Sequence, residues 1–228
     1  FIIMGGYLIN AFYDFEKDMI NQPNKTYFDR IVSKKSCLNI YLIVNITGII
    51  AAFFINKEIL IFSLLLIFAL WIYSHKLRKK ALLSEFSASL LMISFFVGLS
   101  VLNWRIDLTL ILFVTYIFTI DLTREIIKKM TTIKGDLIVG EKSIPIFFGI
   151  KKSKYIIFFL MLSSLSAILF LIPSIIHKLF SYYFILAFII ILFSIYLLNY
   201  AKTSSQYNRI NNVYKILIGL GILSISLY

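Results

Sequence analysis

Cysteine is almost missing from this sequence. Cys37 stands alone, which excludes an internal disulfide and any cysteine metal cluster and leaves a buried free thiol as the plain reading. Proline is scarce as well: of the three, Pro23 and Pro145 fall in polar loops, and Pro173 sits near the end of an apolar run, where it marks a kink or a stop. No hinge-like linker and no low-complexity tail divide the chain. Charge is sparse, at 15% of residues, while 60% are hydrophobic and the mean hydropathy is +0.91. A soluble domain is closer to half apolar and a quarter charged. So much apolar surface cannot be hidden in a water-soluble fold of this size. A bilayer can accommodate it, provided that helices or a closed barrel pair every backbone polar group. Period-2 alternation is absent from the apolar runs, which excludes the barrel.

What is present is a series of long apolar runs: Leu38 to Phe54, Ile59 to Tyr73, Ala81 to Leu102, Leu108 to Leu122, Tyr155 to Ile176, Leu179 to Tyr200 and Val213 to Tyr228. Crossing ~30 Å of hydrocarbon takes about 20 helical residues. Ile59 to Tyr73 must therefore borrow flanking residues. The expected fold is an all-α polytopic membrane protein with seven complete transmembrane helices and one partial N-terminal helix, Phe1 to Phe12, which is too short to cross. Because the chain begins with Phe rather than Met, it is read as a single domain over 1–228 that is N-terminally truncated, with part of one helix and a whole earlier helix missing. A signal peptide is excluded, because no basic segment precedes the first run and acids follow it.

Lysine and arginine alternate between the connections. Taken in order, the polar stretches carry 5, 1, 4, 1, 8, 1 and 3 of them. This is the positive-inside pattern, with the rich loops cytoplasmic, and it independently supports seven crossings. The net charge of +12 is then topogenic and lipid-facing rather than a nucleic-acid footprint. The expected location is the cell (inner) membrane.

Two polar clusters lie in basic-rich stretches. In the first, Asn10, Asp14 and Asp18 are spaced by four, which places all three on one face of a helix. Carboxylates at that spacing repel, and a divalent cation between them removes the repulsion. Mg²⁺ takes one or two carboxylates together with substrate phosphates and keeps several waters. A solvated helix end is the bland alternative. The second cluster runs from Asp121 through Arg124, Glu125, Lys128 and Lys129 to Gly135, Asp136 and Gly140. Asp121 and Glu125 share one face, and Arg124 and Lys128 share the adjacent one. The face reads either as i,i+4 salt bridges or as cations for a diphosphate with an acid for a metal. Gly135 and Gly140 are expected to loosen the loop and let backbone approach a ligand. The two stretches echo each other at a separation of roughly 110 residues, as two similar helical halves around a shared cavity would.

These residues resemble the UbiA superfamily of intramembrane prenyltransferases. The first match is Ile9-Asn10 with Tyr13-Asp14, Asp18, Ile20-Asn21 and Pro23; the second is Arg124-Glu125-Ile126-Ile127-Lys128 with Gly135-Asp136 and Ile144-Pro145-Ile146. The Arg124 to Lys128 stretch is most similar to the branch that attaches geranylgeranyl chains to glycerol-phosphate lipids. The resemblance implies a UbiA-like helical bundle and Mg²⁺-dependent transfer of a prenyl group from a prenyl diphosphate to a glycerol-phosphate or other hydrophobic acceptor. It also implies roles for the matching residues. Asp14, Asp18, Arg124 and Lys128 would be catalytic. Asn10, Asp14, Asp18 and Asp136 would hold metal. Asn10, Tyr13, Arg124, Lys128 and Lys129 would bind substrate, with Tyr13 offering its ring to an allylic cation. The departures are Ala11, where the family often has Asp, and Lys129 and Thr132, where acids that hold a second Mg²⁺ are usual. Either Lys129 neutralises the diphosphate directly or catalysis is impaired. An aromatic or quinone-precursor prenyltransferase and a non-catalytic prenyl-diphosphate- or lipid-binding relative remain as alternatives. A small transporter is disfavoured, because Glu85, near the start of its run, comes closest to an intramembrane charge in the later runs.

Overall fold

Ser33, Asn56 and Asp107 each begin a helix where an apolar run begins. Each holds an extended backbone and accepts a hydrogen bond three residues on, from Ser36 N (3.1 Å), Ile59 N (2.7 Å) and Leu110 N (2.7 Å) respectively. Such caps satisfy N–H groups that have no partner within the helix. In the computed structural model the described residues are 1–21, 33–103 and 107–224, without the side chains of 16–21, 95, 97 and 99–103. Among them the elements are all helical: α1 (Ile2–Asn21), α2 (Lys34–Ile55), α3 (Lys57–His75), α4 (Leu83–Asn103), α5 (Leu108–Thr131), α6 (Ile133–Ile138), α7 (Ile144–Ile175), α8 (Phe180–Tyr200) and α9 (Ser204–Ser224), with one 3-10 turn at Leu77–Lys79.

The fold is all-α and polytopic, as expected. Among the described residues, the body of each of the seven apolar runs falls on its own helix, α2, α3, α4, α5, α7, α8 and α9. By length and apolarity alone, four stretches among the described residues qualify as spans: Lys34–Ile55, Lys57–Lys79, Ile144–Ile175 and Phe180–Tyr200. The second of these reaches past Tyr73 into the following turn, which is how the short run Ile59 to Tyr73 gains its length. Large apolar side chains point outward along these helices. Phe53, Phe54, Phe159, Phe170 and Tyr182 are each more than two-thirds exposed, a pattern suited to lipid and costly in water.

The chain divides into two compact units. The first holds residues 1–87 and 134–142, the second 88–133 and 143–228. In the first unit α1, α2 and α3 pack on one another through small residues. A Cβ added to Gly5 would come within 2.8 Å of the Asn45 amide, and one added to Gly6 within 3.0 Å of Leu70. Close backbone approach of this kind drives helix association in lipid, where no hydrophobic force distinguishes a partner helix from acyl chains. Cys37 is buried there and donates weakly to the Leu8 carbonyl (3.6 Å).

In the second unit α5 packs on α7 and α9, and α8 on α7 and α9. Tyr116, Ile117, Ile120, Met161, Phe184 and Tyr214 are fully buried at its centre. Its polar groups pair between helices. The Tyr116 and Tyr183 hydroxyls lie 2.8 Å apart, Tyr183 donates to Leu217 O (3.1 Å), and Ser164 donates to Thr119 Oγ1 (2.9 Å). In membranes such interhelical bonds contribute about 0.6 kcal/mol each. The α7 helix is interrupted at Gly149, whose φ of 79° is open to glycine and strained for other residues. Pro145 occupies the first turn of α7, where its missing N–H has no cost, and Pro173 falls two residues before the end.

Candidate functional site

Asn10 and Asp14 lie one turn apart on α1, as their spacing predicts. The backbone of Asp18 continues the same helix. Its side chain, like all of Pro23, lies outside the described residues. Each of the three described polar residues of this face is met by the end of α3 or the turn that follows. Asn10 Oδ1 accepts from Ser74 Oγ at 2.7 Å, which leaves the amide oxygen one further lone pair. The Tyr13 hydroxyl pairs with His75 Nδ1 at 3.0 Å, and the His75 ring stacks on Trp71 at 5.4 Å with 8° between the planes. Asp14 Oδ1 is ion-paired with Arg78 Nη2.

Arg78 is the residue that reading the sequence missed, together with its second partner. Among Lys76, Lys79 and Lys80 it looks like one more topogenic charge. Instead it is buried, with 4% of its surface exposed, and its Nη2 also meets Glu141 Oε1 at 2.9 Å. Backbone geometry brings these distant loops together. The 3-10 turn at Leu77–Lys79 follows the last bond of α3, and Lys142 N donates to Lys79 O at 3.3 Å. Glu141 is aimed inward by a reversal after α6: its N–H returns to Asp136 O at 2.8 Å, and Gly140 makes the turn at φ 71°. Neither Arg78 nor Glu141 carries a local signal in the sequence that marks it as buried. Gly135, expected to loosen this loop, is instead a buried residue of α6.

The second cluster lies at the far end of α5. Arg124 sits between both acids of its face, with Nε on Asp121 Oδ1 at 3.0 Å and Nη2 on Glu125 Oε1. Lys128 Nζ is 3.5 Å from Glu125 Oε2. Lys129 is buried beside them. Glu125 lies beyond the apolar stretch Leu108 to Leu122. Burial pushes its carboxyl up, but the cations of Lys128, Arg124 and Lys129 outweigh burial and hold it at about 2. Asp136, which the sequence groups with this cluster, belongs to the same compact unit as Asp14 and is fully buried in the first turn of α6.

The donor chemistry can be tested against a divalent cation. Hard oxygens from Asn10 and Asp14 on one helix face suit Mg²⁺. Asp14 already attracts a cationic group, the Arg78 guanidinium, and its side chain remains 28% exposed on the other side. The first cluster fits a cation. The second fits poorly, because its two acids are matched by three basic side chains. Among the described residues no group of three or more His, Cys, Asp or Glu could enclose a metal by itself. Any site here therefore depends on further ligands.

The model of the UbiA prenyltransferase family matches residues 1–217. The chain belongs to that family. A digeranylgeranylglyceryl phosphate synthase of Sulfurisphaera tokodaii is 29% identical over 68% of this chain, which spans 56% of that protein. One from Methanosphaera stadtmanae is 30% identical over 95% of this chain and 80% of its own length. The chain thus spans little more than half of some relatives and most of another. Among solved structures, one concerned with digeranylgeranylglyceryl phosphate synthase in membranes superposes with a TM-score of 0.70 at 22% identity, covering 98% of this chain and 80% of the other. A UbiA homologue from Archaeoglobus fulgidus, bound to DMAPP and Mg²⁺, gives 0.67 at 15% identity, covering 100% and 84%. At these identities the superpositions establish the fold. With its family and its apolar helices, the chain is an integral membrane protein.

Proposed function

We propose that this chain transfers a prenyl group from a prenyl diphosphate to a glycerol-phosphate lipid precursor within the membrane, with Mg²⁺ as cofactor and residues 1–228 working as one domain. The observation that carries the reading is Asp14: a carboxylate one helical turn from Asn10, partly open, already attracting a cationic group. The synthases among its relatives support the acceptor class, and the DMAPP- and Mg²⁺-bound homologue supports the donor and the metal. An aromatic or quinone-precursor acceptor uses the same donor and metal, and product analysis separates the two.

Asp14 and Asp18 hold the metal, with Asn10 and Asp136 as further oxygen ligands. Bound there, Mg²⁺ supplies positive charge to the departing diphosphate. Arg124, Lys128 and Lys129 bind diphosphate oxygens, with Arg124 kept in place by Asp121 and Glu125. The allylic C–O bond breaks with its electron pair on the diphosphate. The acceptor hydroxyl closes the new C–O bond, and its proton ends on the released diphosphate. Tyr13, oriented by His75, presents a ring face to the allylic cation. The polar clusters face the cytoplasm at the cell membrane, as the alternation of Lys and Arg supports. Labelling of Lys142→Cys by an impermeant reagent from outside intact cells would overturn that orientation.

A non-catalytic prenyl-diphosphate-binding relative is favoured by one observation, the saturation of Asp121 and Glu125 by Arg124 and Lys128. Feeding geranylgeranyl diphosphate with glycerol-phosphate and aromatic acceptors to the purified full-length protein, followed by mass spectrometry, decides between the readings. A prenylated glycerol-phosphate product is expected. Metal-dependent binding without any product would select the relative.

A further inference from the structure

Arg78 is shared between two carboxylates of unequal freedom. Asp14 is partly exposed, whereas Glu141 and Arg78 are buried to within 5%. Within the trio one guanidinium faces two carboxylates, and Asp14 is the member that solvent reaches to a substantial degree. A cation arriving at Asp14 competes there with the guanidinium.

We propose that Glu141 is a positioning residue for the metal site: by holding Arg78 from behind, it keeps the guanidinium from neutralising Asp14 and leaves that carboxylate able to take a divalent cation. The proposal rests on Asp14 being a metal ligand and adds what sets its affinity. The physical basis is competition. By Coulomb's law the negative charge of Glu141 offsets part of the positive potential that Arg78 places at Asp14, and with it part of the repulsion an arriving cation meets there. Glu141 is suited to the task by its rigidity. It is buried, its backbone N–H is fixed to Asp136 O, and the next residue is hydrogen-bonded to the turn that bears Arg78. When a cation takes Asp14, Arg78 keeps a partner, so no buried charge is stranded, an outcome that would otherwise be strongly unfavourable.

The test uses the full chain in nanodiscs and follows Mn²⁺ binding by the electron paramagnetic resonance signal of free Mn²⁺, with and without a non-hydrolysable prenyl diphosphate analogue. Glu141→Gln is expected to weaken Mn²⁺ binding on the order of tenfold, the effect of one charge in partly solvated surroundings. Glu141→Asp is expected to restore most of it. Arg78→Gln removes the competitor, keeps Glu141, and is expected to bind Mn²⁺ more tightly than wild type. The opposite signs separate the proposal from damage to the fold, which would weaken binding in both variants. If Glu141→Gln does not fold, Arg78→Gln alone carries the test, and weaker binding in it overturns the proposal. Unchanged affinity in Glu141→Gln, with binding still abolished by Asp14→Asn, overturns the role of Glu141 and leaves the metal reading intact. Binding that survives Asp14→Asn overturns both.

Discussion

The two polar clusters hold similar residues and solve opposite problems. At the end of α5, two acids find their cations on the same helix, one to three residues away, and a surplus of positive charge remains. At the first cluster, Asp14 finds its cation in a turn more than sixty residues along the chain, and that cation is claimed by a second acid from further still. Local pairing produces a saturated face suited to receiving an anion. Long-range pairing produces an acid whose charge is only partly cancelled and which can still receive a cation. Identical side chains thus acquire different chemistry from where their partners come from.

The largest expected effect lies on the cation side. Asp14→Asn keeps the size of the side chain and removes the charge, so transfer should fall by about a hundredfold or more, since metal assistance is worth several kcal/mol and each 1.36 kcal/mol is tenfold in rate. Steady-state assays on the inserted protein measure this, and undiminished transfer would dissolve the distinction between the clusters. Next is the anion side. Arg124→Ala removes a charged partner of both Asp121 and Glu125 as well as the diphosphate ligand proposed above, and should raise KM for the prenyl diphosphate by about tenfold or more. Lys129→Asp should lower activity if Lys129 neutralises diphosphate. A rise in activity with stronger Mg²⁺ dependence would mean that the second cluster is a degraded metal site.

A smaller effect concerns pH. The Glu125 carboxyl is held at about 2, below its ordinary 4.5. A depressed pKa stabilises the folded state above the unfolded value, and the contribution fades as pH falls from about 4.5 through about 2. Glu125→Gln should therefore lower the melting temperature at pH 7 and lower it less at pH 3. An equal or larger loss at pH 3 would show that the ion pairs are not the source. Smallest of all, Tyr13→Phe keeps the ring and removes one hydrogen bond to His75, a change of about 1 kcal/mol and a few-fold in rate. A loss as large as that of Asp14→Asn would assign the hydroxyl, rather than the ring, to the chemistry.

Most of the fold was legible in the sequence because apolar runs are local properties: Leu38 to Phe54 is apolar whatever it packs against. The caps at Asn56 and Asp107 are equally local, within three residues of their partners, and came to light with the structure. The faces of the clusters were legible for the same reason, since a spacing of four fixes a helix face. The partners of the first cluster were not. Nothing within several residues of Arg78 separates it from Lys79, which is exposed. Only the tertiary meeting of the turn at Leu77–Lys79 with the segment after Gly140 buries one and leaves the other out. Nor did spacing reveal that Asp136, read with the second cluster, folds into the unit that holds Asp14.

The central contrast, cation at the first cluster and anion at the second, is tested most directly by metal titration of three proteins in nanodiscs: wild type, Asp14→Asn and Arg124→Ala. Wild type should bind Mn²⁺, Asp14→Asn should not, and Arg124→Ala should bind it with nearly unchanged affinity while its affinity for the prenyl diphosphate analogue falls by about tenfold or more. Mn²⁺ binding that survives in Asp14→Asn and disappears in Arg124→Ala would contradict the assignment.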